Sequence, residues 1–368
     1  MTADAPPRAD RRRLLGRGLA TAAWPLSAAV PGGSALARWA LSPAPRALAA
    51  LAAAAAAAGC ASRGPGLLEA LPGELPGAVD LEERVPHFPQ TAYQCGPAAL
   101  ATVLGAAGVD TTPQALAPQV YLPAREGSLQ LELLAAARRQ GLVATRLPPR
   151  VPALLAALAE GRPVVVLQNL GLDLAPVWHY AVLVAYDLQG AGEVVLRSGL
   201  VRRLPLVLPL FENTWVRAGS WAMVVTPPGT WPSGAEEPAA LEAAVGFERV
   251  AGPALALRAY AAAVQRWPDS LGLRVGLGNA AFASGQKALA ADAFQTAAQR
   301  HRSAPAWINL GHTLLDAGLV DAAWRVALEA EYLNDPAFRA ETTALLREVY
   351  GRRLARGDAG TKDSSAPR

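Results

Sequence analysis

The chain has 368 residues, of which 52% are hydrophobic and 17% charged, with a net charge of +4 at neutral pH. This length allows two domains and a tail. The small charge and the lack of a basic stripe with interleaved aromatic residues argue against a nucleic-acid-binding protein. The two cysteines and four scattered histidines show no zinc-site spacing, so we expect neither a metal nor another cofactor.

Residues 1–60 have the pattern of an export segment. Arg46 precedes a short, alanine-rich apolar run that ends in small residues, which is typical of a secretory signal peptide. The run Ala57-Ala58-Gly59-Cys60 resembles a bacterial lipoprotein signal. This resemblance implies that Cys60 is lipidated and becomes the mature N-terminus. An alanine-rich signal peptide with an incidental cysteine is the alternative.

The lipoprotein resemblance also implies a location. The residue after Cys60 is Ala61, not the acidic residue that retains Gram-negative lipoproteins in the inner membrane. We therefore expect a lipid-anchored protein of the bacterial cell envelope that faces the periplasm, with the outer membrane favoured over the inner. Residues 61–80 are rich in Gly, Pro and Glu and are predicted to be a flexible tether.

The segment from Phe88 to Leu100 contains the candidate nucleophile, Cys95. This cysteine lies between a polar loop and an alanine-rich segment in which Pro97 suits the first turn of a helix. The helix is predicted to extend from Pro97 to about Gly108. Its dipole and free N–H groups favour the thiolate of Cys95, which is the nucleophilic form. A buried structural cysteine is the alternative.

The pattern over residues 81–226 predicts an α+β domain, with helices first and an antiparallel sheet later. Thr112 and Ser128 are predicted to cap helices that begin at Pro113 and Leu129, and a further helix is predicted over 151–160. Strands are predicted at 142–147, 163–168, 178–187, 193–197, 204–208 and 221–225.

His179, at the start of the predicted strand 178–187, is the candidate base for Cys95. A neutral imidazole would take the thiol proton and later deliver a proton to the leaving group. The backbone N–H of Cys95 and the side-chain amide of Gln90 are candidate oxyanion donors, with Gln94 as a competitor for Gln90. A half-buried strand histidine without a catalytic role is the alternative for His179.

The motif Pro89-Gln90, the run Cys95-Gly96-Pro97-Ala98-Ala99-Leu100 and the later His179 together resemble papain-like cysteine peptidases. Among these, the pattern is most similar to the bacteriocin-processing, double-glycine leader peptidases. The resemblance covers about residues 81–226. It implies that Gln90 completes the oxyanion hole, that Cys95 is the nucleophile and that His179 is the base. Gln90 is one residue closer to the cysteine than is usual in that family.

The third catalytic position departs from the family pattern. The family orients its histidine with an Asp at the end of the strand that follows the histidine strand. That place reads Leu196-Arg197-Ser198-Gly199, so Ser198 is predicted to accept the imidazole N–H weakly. Asp187 lies about eight residues along the strand from His179, or roughly 26 Å, and we interpret it as a turn residue.

Residues 227–238 have the composition of a linker, and residues 239–355 have a helical repeat pattern. Leu277-Gly278 and Leu310-Gly311 are 33 residues apart, as are Gly285 and Gly318. Such periods indicate stacked helix pairs, and the positions resemble the tetratricopeptide repeat; a plain helical bundle is the alternative. Repeats of this kind bind other proteins. Residues 356–368 are predicted to be a disordered tail.

The sequence thus predicts an envelope-anchored cysteine peptidase that cleaves a peptide bond through an acyl-enzyme on Cys95. The repeats would recruit a peptide or protein substrate, or a protein partner. One alternative is a catalytically weak or inactive papain-like scaffold that binds peptides, because no acidic third residue is evident. The other is a papain-like acyltransferase or amidase that uses Cys95 and His179.

Overall fold

The structure, a computed structural model, describes residues 75–89 and 94–363. They form an α+β domain whose last strand ends at Thr226, followed by helices that begin at Glu237. The predicted fold class, an α+β domain followed by an all-α repeat domain, is confirmed. The export segment, Cys60 and Gln90 lie outside the described residues. Within the described ranges, no helix combines the length and the apolar character needed to span a bilayer.

The α+β domain is built on one antiparallel sheet. Its seven strands have the order β4-β9-β5-β6-β7-β8, with β1 paired to one end of β6, and β2 and β3 form a separate hairpin. The elements in chain order are β1 (Ala78–Asp80), α1 (Cys95–Ala106), α2 (Pro113–Val120), β2 (Tyr121–Leu122), β3 (Gly127–Ser128), α3 (Gln130–Arg139), β4 (Val143–Arg146), α4 (Val151–Ala159), β5 (Val164–Asn169), β6 (Trp178–Asp187), β7 (Glu193–Ser198), β8 (Val201–Val207), α5 (Leu208–Val216) and β9 (Ala222–Thr226).

The centre of the sheet is covered on both faces. All six residues of β5 are buried, and successive strand residues point to opposite faces, so neither face of β5 is open to solvent. Helix α1 packs against β6, β5 and β9, whereas α5 packs against β5. Leu100, Val103 and Leu104 of α1 are fully buried. Because these side chains are buried, the N-terminus of α1 is held beside the start of β6.

Several local predictions differ from the structure. Ser128 does not cap a helix; it lies in β3, and Leu129 is the N-cap residue of α3 without a side-chain cap. Leu208 begins α5, with a proline in its first turn, rather than ending a strand. Residues 78–80, assigned to the flexible tether, form β1 because they complete backbone hydrogen bonding with β6. Thr112 caps α2 through its side chain, as predicted.

The second domain consists of consecutive helices joined by short turns. They are α6 (Glu237–Ala251), α7 (Pro253–Arg266), α8 (Leu271–Ala283), α9 (Lys287–His301), α10 (Ala304–Asp316), α11 (Val320–Leu333) and α12 (Arg339–Asp363). Each helix packs against the next, and the repeated glycines make this packing close. A Cβ at Gly278 would lie 2.5 Å from the ring of Phe294. Residues 356–363, which were predicted to belong to a disordered tail, are helical and form the end of α12.

The two domains share an apolar contact. Phe247 of α6 is fully buried and packs with Val143 of β4 and with Ala243 and Ala259. The predicted linker between the domains is held in place by polar contacts, since Arg266 donates hydrogen bonds to three of its carbonyl groups.

Candidate active site

Cys95 is the first residue of α1, at the helix N-terminus that the sequence predicted. The first backbone N–H groups of a helix have no partner within the helix and point toward this position. Cys95 is not disulfide-bonded, and its side chain is partly buried. It lines a cleft of about 940 Å³, which His179 also lines. The structure therefore brings the predicted nucleophile and the predicted base to one cavity.

His179 is held by Ser198. The two side chains face the same side of the sheet because β6 and β7 are antiparallel, with Val182 opposite Arg197. The imidazole Nε2 lies 2.9 Å from Ser198 Oγ. This hydrogen bond occupies Nε2 and leaves Nδ1 as the ring nitrogen available to Cys95. Ser198 thus lies where the sequence predicted a weak histidine-orienting residue.

Burial dominates the electrostatics of Cys95. Desolvation raises the pKa of the thiol above its ordinary value. Backbone hydrogen bonds from Tyr180, Gly96 and Cys95 itself oppose this shift and favour the thiolate, but they are smaller in effect. The N–H groups of the helix N-terminus therefore favour the thiolate, as predicted, but burial of the sulfur, which the sequence did not reveal, outweighs them.

Burial also shifts the pKa of His179. Desolvation lowers the pKa of its imidazole below the ordinary value. A raised thiol pKa and a lowered imidazole pKa both favour neutral groups at neutral pH. Both shifts thus favour a thiol and a neutral imidazole over a thiolate–imidazolium pair. A neutral imidazole is the form that accepts a proton.

The wall of the cleft beside Cys95 is closely packed. A Cβ at Gly96 would overlap Ser128 Oγ, so glycine is needed where β3 crosses the first turn of α1. The Tyr180 hydroxyl donates to the Ser128 carbonyl at 3.2 Å, and its ring packs edge-on against Trp221. These contacts have no signal in the sequence, because they depend on where the β2–β3 hairpin lies.

The other candidates lie elsewhere. Asp187 is at the far end of β6, where its carboxylate accepts the N–H of Gln189, as expected for a turn residue. His87, which is close to Cys95 in sequence, does not line the cleft; burial lowers the pKa of its imidazole, and the positive charge of Arg197 lowers it further. Gln94 directly precedes α1. No cluster of His, Cys, Asp and Glu within the described ranges is arranged to hold a metal ion.

Residues 82–197 match the family model described as the Peptidase_C39 like family. The α+β domain is a Peptidase_C39-like domain. The matched segment contains Cys95 and His179 and ends at Arg197, one residue before Ser198. No curated protein sequence matches the chain at a significant level.

Similar solved structures include two peptidases and a secretion chaperone. A C39-like peptidase from Bacillus anthracis is 21% identical, with a TM-score of 0.34, over 40% of this chain and 97% of its own. The peptidase domain of the bifunctional ABC transporter ComA from Streptococcus is 20% identical, with a TM-score of 0.31, over 38% and 96%. The type III secretion translocator chaperone SycD from Yersinia enterocolitica is 19% identical, with a TM-score of 0.30, over 32% and 83%.

The neutral resting pair predicts the pH dependence of alkylation at Cys95. In a chain carrying Cys60→Ala, the iodoacetamide rate at Cys95 should rise about tenfold per pH unit from pH 5 through pH 8, because only the thiolate reacts and its pKa is raised. Mass spectrometry of the Cys95 peptide measures this rate. A pH-independent plateau between pH 5 and 7 would instead indicate a preformed thiolate–imidazolium pair and contradict the neutral site.

Proposed function

We propose that the chain is a cysteine peptidase that cleaves a peptide bond through an acyl-enzyme on Cys95, with His179 as the base. The observation that carries the proposal is the shared cleft of Cys95 and His179, in which Ser198 binds the far nitrogen of the imidazole. The Peptidase_C39-like family of the domain supports the same chemistry.

The proposed reaction begins with proton transfer. The Cys95 S–H proton moves to Nδ1 of His179 as the sulfur attacks the carbonyl carbon of the scissile bond. Nε2–H donates to Ser198 Oγ and stabilises the imidazolium that forms. The backbone N–H of Cys95, together with Gln90, would bind the oxyanion. His179 then protonates the leaving amine, and water hydrolyses the thioester with His179 again acting as the base.

The substrate we propose is a polypeptide. The cleft, at about 940 Å³, is large enough to hold several residues of a peptide. Its rim exposes large apolar side chains: Val177 is 56%, Trp178 55% and Leu200 76% exposed. Apolar side chains at the mouth of a cleft are typical of a surface that binds another chain.

We propose that the repeat domain recruits this substrate or a protein partner. A groove between α8 and α10 is lined by Asn279, Phe282, Asn309 and His312, together with Phe294 and Thr313. Phe282 is 37% exposed in this groove. A solvent-facing aromatic side chain beside amide groups combines apolar contact with hydrogen bonding, which suits a polypeptide ligand.

We also propose that lipidation of Cys60 anchors the protein in the bacterial cell envelope, facing the periplasm and more often in the outer than the inner membrane. The support is the export pattern of residues 1–60 and the small residues before Cys60. Anchoring would place the cleft among secreted polypeptides near the membrane.

Peptide-bond cleavage is tested with the Cys60→Ala chain and a library of peptides from a digested bacterial proteome, with new N-termini identified by mass spectrometry. Cys95→Ala and His179→Ala should reduce cleavage to background. Ser198→Ala should reduce the rate by about 5- to 10-fold, because one neutral hydrogen bond contributes about 1 kcal/mol. His301→Ala, which removes an exposed histidine of the repeat domain, is the matched control and should cleave normally.

The alternatives give different outcomes. Cleavage by wild type that is no higher than the background seen with Cys95→Ala would contradict the peptidase proposal and support an inactive scaffold that binds peptides. Transfer of the acyl group to added amines, with little free acid product, would instead indicate an acyltransferase with the same Cys95 and His179.

The proposed anchor predicts lipid labelling of a single residue. When cells that express the chain are supplied with an alkyne-tagged fatty acid, the protein should become labelled. Cys60→Ala should abolish the label, because Cys60 is the residue proposed to carry the lipid at the mature N-terminus. Cys95→Ala is the matched control and should retain it. Label that persists in Cys60→Ala would contradict the anchor without affecting the proposed chemistry.

A further inference from the structure

A buried arginine lies directly before the histidine-orienting serine. The side chain of Arg197 is 2% exposed, which is rare for an arginine unless it is paired. It forms a buried ion pair with Glu82 at 3.1 Å. It also donates to the backbone carbonyls of Glu82 at 2.6 Å and Val85 at 3.2 Å, and to that of Arg202.

These acceptors come from two different parts of the chain. Glu82 and Val85 belong to the segment that leads from β1 toward Cys95. That segment is itself fixed to β6, since the Leu81 N–H donates to the Val184 carbonyl at 3.0 Å. Arg202 belongs to β8, beyond the turn that follows Ser198. The guanidinium of Arg197 therefore connects three segments. They are the chain that leads toward Cys95, the end of β7 and the start of β8 beyond the turn that follows Ser198.

The position of Arg197 in β7 connects these contacts with His179. Neighbouring strand residues point to opposite faces, so Arg197 fixes β7 from the face opposite to Ser198. Beyond Ser198 the chain turns at Gly199, which has a positive φ of 59°, and the pairing of β7 with β8 is irregular between Leu196 and Ser198, so the regular ladder is interrupted beside Arg197. A displacement of well under 1 Å is enough to disrupt a catalytic hydrogen bond such as the 2.9 Å contact between Ser198 and His179.

We propose that Arg197 is a positioning residue, which with Glu82 holds the end of β7 so that Ser198 binds Nε2 of His179. The inference rests on the proposed function for the role of His179, but it concerns a hydrogen bond that exists with or without substrate. A planar guanidinium is required, because its N–H groups can donate to four acceptors on three residues. Lysine carries the same charge, but its single ammonium group cannot reach all four.

The test observes the Nε2–H proton of His179 by NMR in the full-length Cys60→Ala chain labelled with ¹⁵N-histidine. An imidazole N–H gives a sharp, slowly exchanging signal only when a hydrogen bond protects it. Wild type should show this signal, and Ser198→Ala should lose it, which assigns it. Arg197→Lys should also lose or broaden it, and its rate of reaction with a peptidyl acyloxymethyl ketone at Cys95 should fall about 5- to 10-fold.

Two further variants separate positioning from general stability. Arg150→Lys alters an exposed ion pair with Glu236 and should leave the signal and the reaction rate unchanged. Glu82→Gln keeps the shape of the partner and should weaken the signal even if Arg197→Lys fails to fold. An unaltered Nε2–H signal in both folded Arg197→Lys and Glu82→Gln, with only a lower melting temperature, would overturn the proposal, as would a wild type without the signal. Failure of peptide cleavage alone would contradict the proposed function but not this role.

Discussion

The packing of the α1 N-terminus against the start of β6 is the constraint on which the site depends. Cys95 begins α1, and the backbone of Tyr180, the residue after His179, lies close enough to the Cys95 side chain to lower the pKa of its thiol. Nucleophile and base therefore come from adjacent positions of two buried elements. The apolar face of α1, with Leu100 and Leu104 fully buried, fixes this geometry because any rotation of the helix would expose core side chains.

The same burial determines the chemistry of the pair. Removing the thiol and the imidazole from water disfavours both charged forms. The backbone N–H groups around the sulfur are too weak to reverse this shift, yet they are already in place for the thiolate that would form in the proposed attack. Such preorganised dipoles stabilise charge as it develops without a cost of reorganisation. Serine in place of a carboxylate beside His179 fits this account, because a neutral partner does not raise the imidazole pKa as a carboxylate would.

The sequence predicted those parts of the site that depend on local pattern. The bounds 178–187 of the histidine strand, a helix that begins close to Cys95 and the position of Ser198 beside His179 follow from strand alternation, helix signals and hairpin geometry; the helix starts two residues before the predicted Pro97. The contacts of Ser128 and Arg197 were not predictable in this way, since they join segments far apart in sequence. The net direction of the Cys95 pKa shift was also not predictable from the sequence, because it depends on tertiary burial rather than on position in the helix.

The central claim is that Cys95 carries the acyl group during peptide cleavage. It is tested most directly by quenching the Cys60→Ala chain in acid during turnover of a peptide thioester or activated ester, followed by mass spectrometry of its fragments. We expect an acyl adduct on Cys95 that accumulates in wild type and forms far more slowly in His179→Ala. Product formation without any adduct on Cys95, or an adduct that forms equally fast without His179, would contradict it.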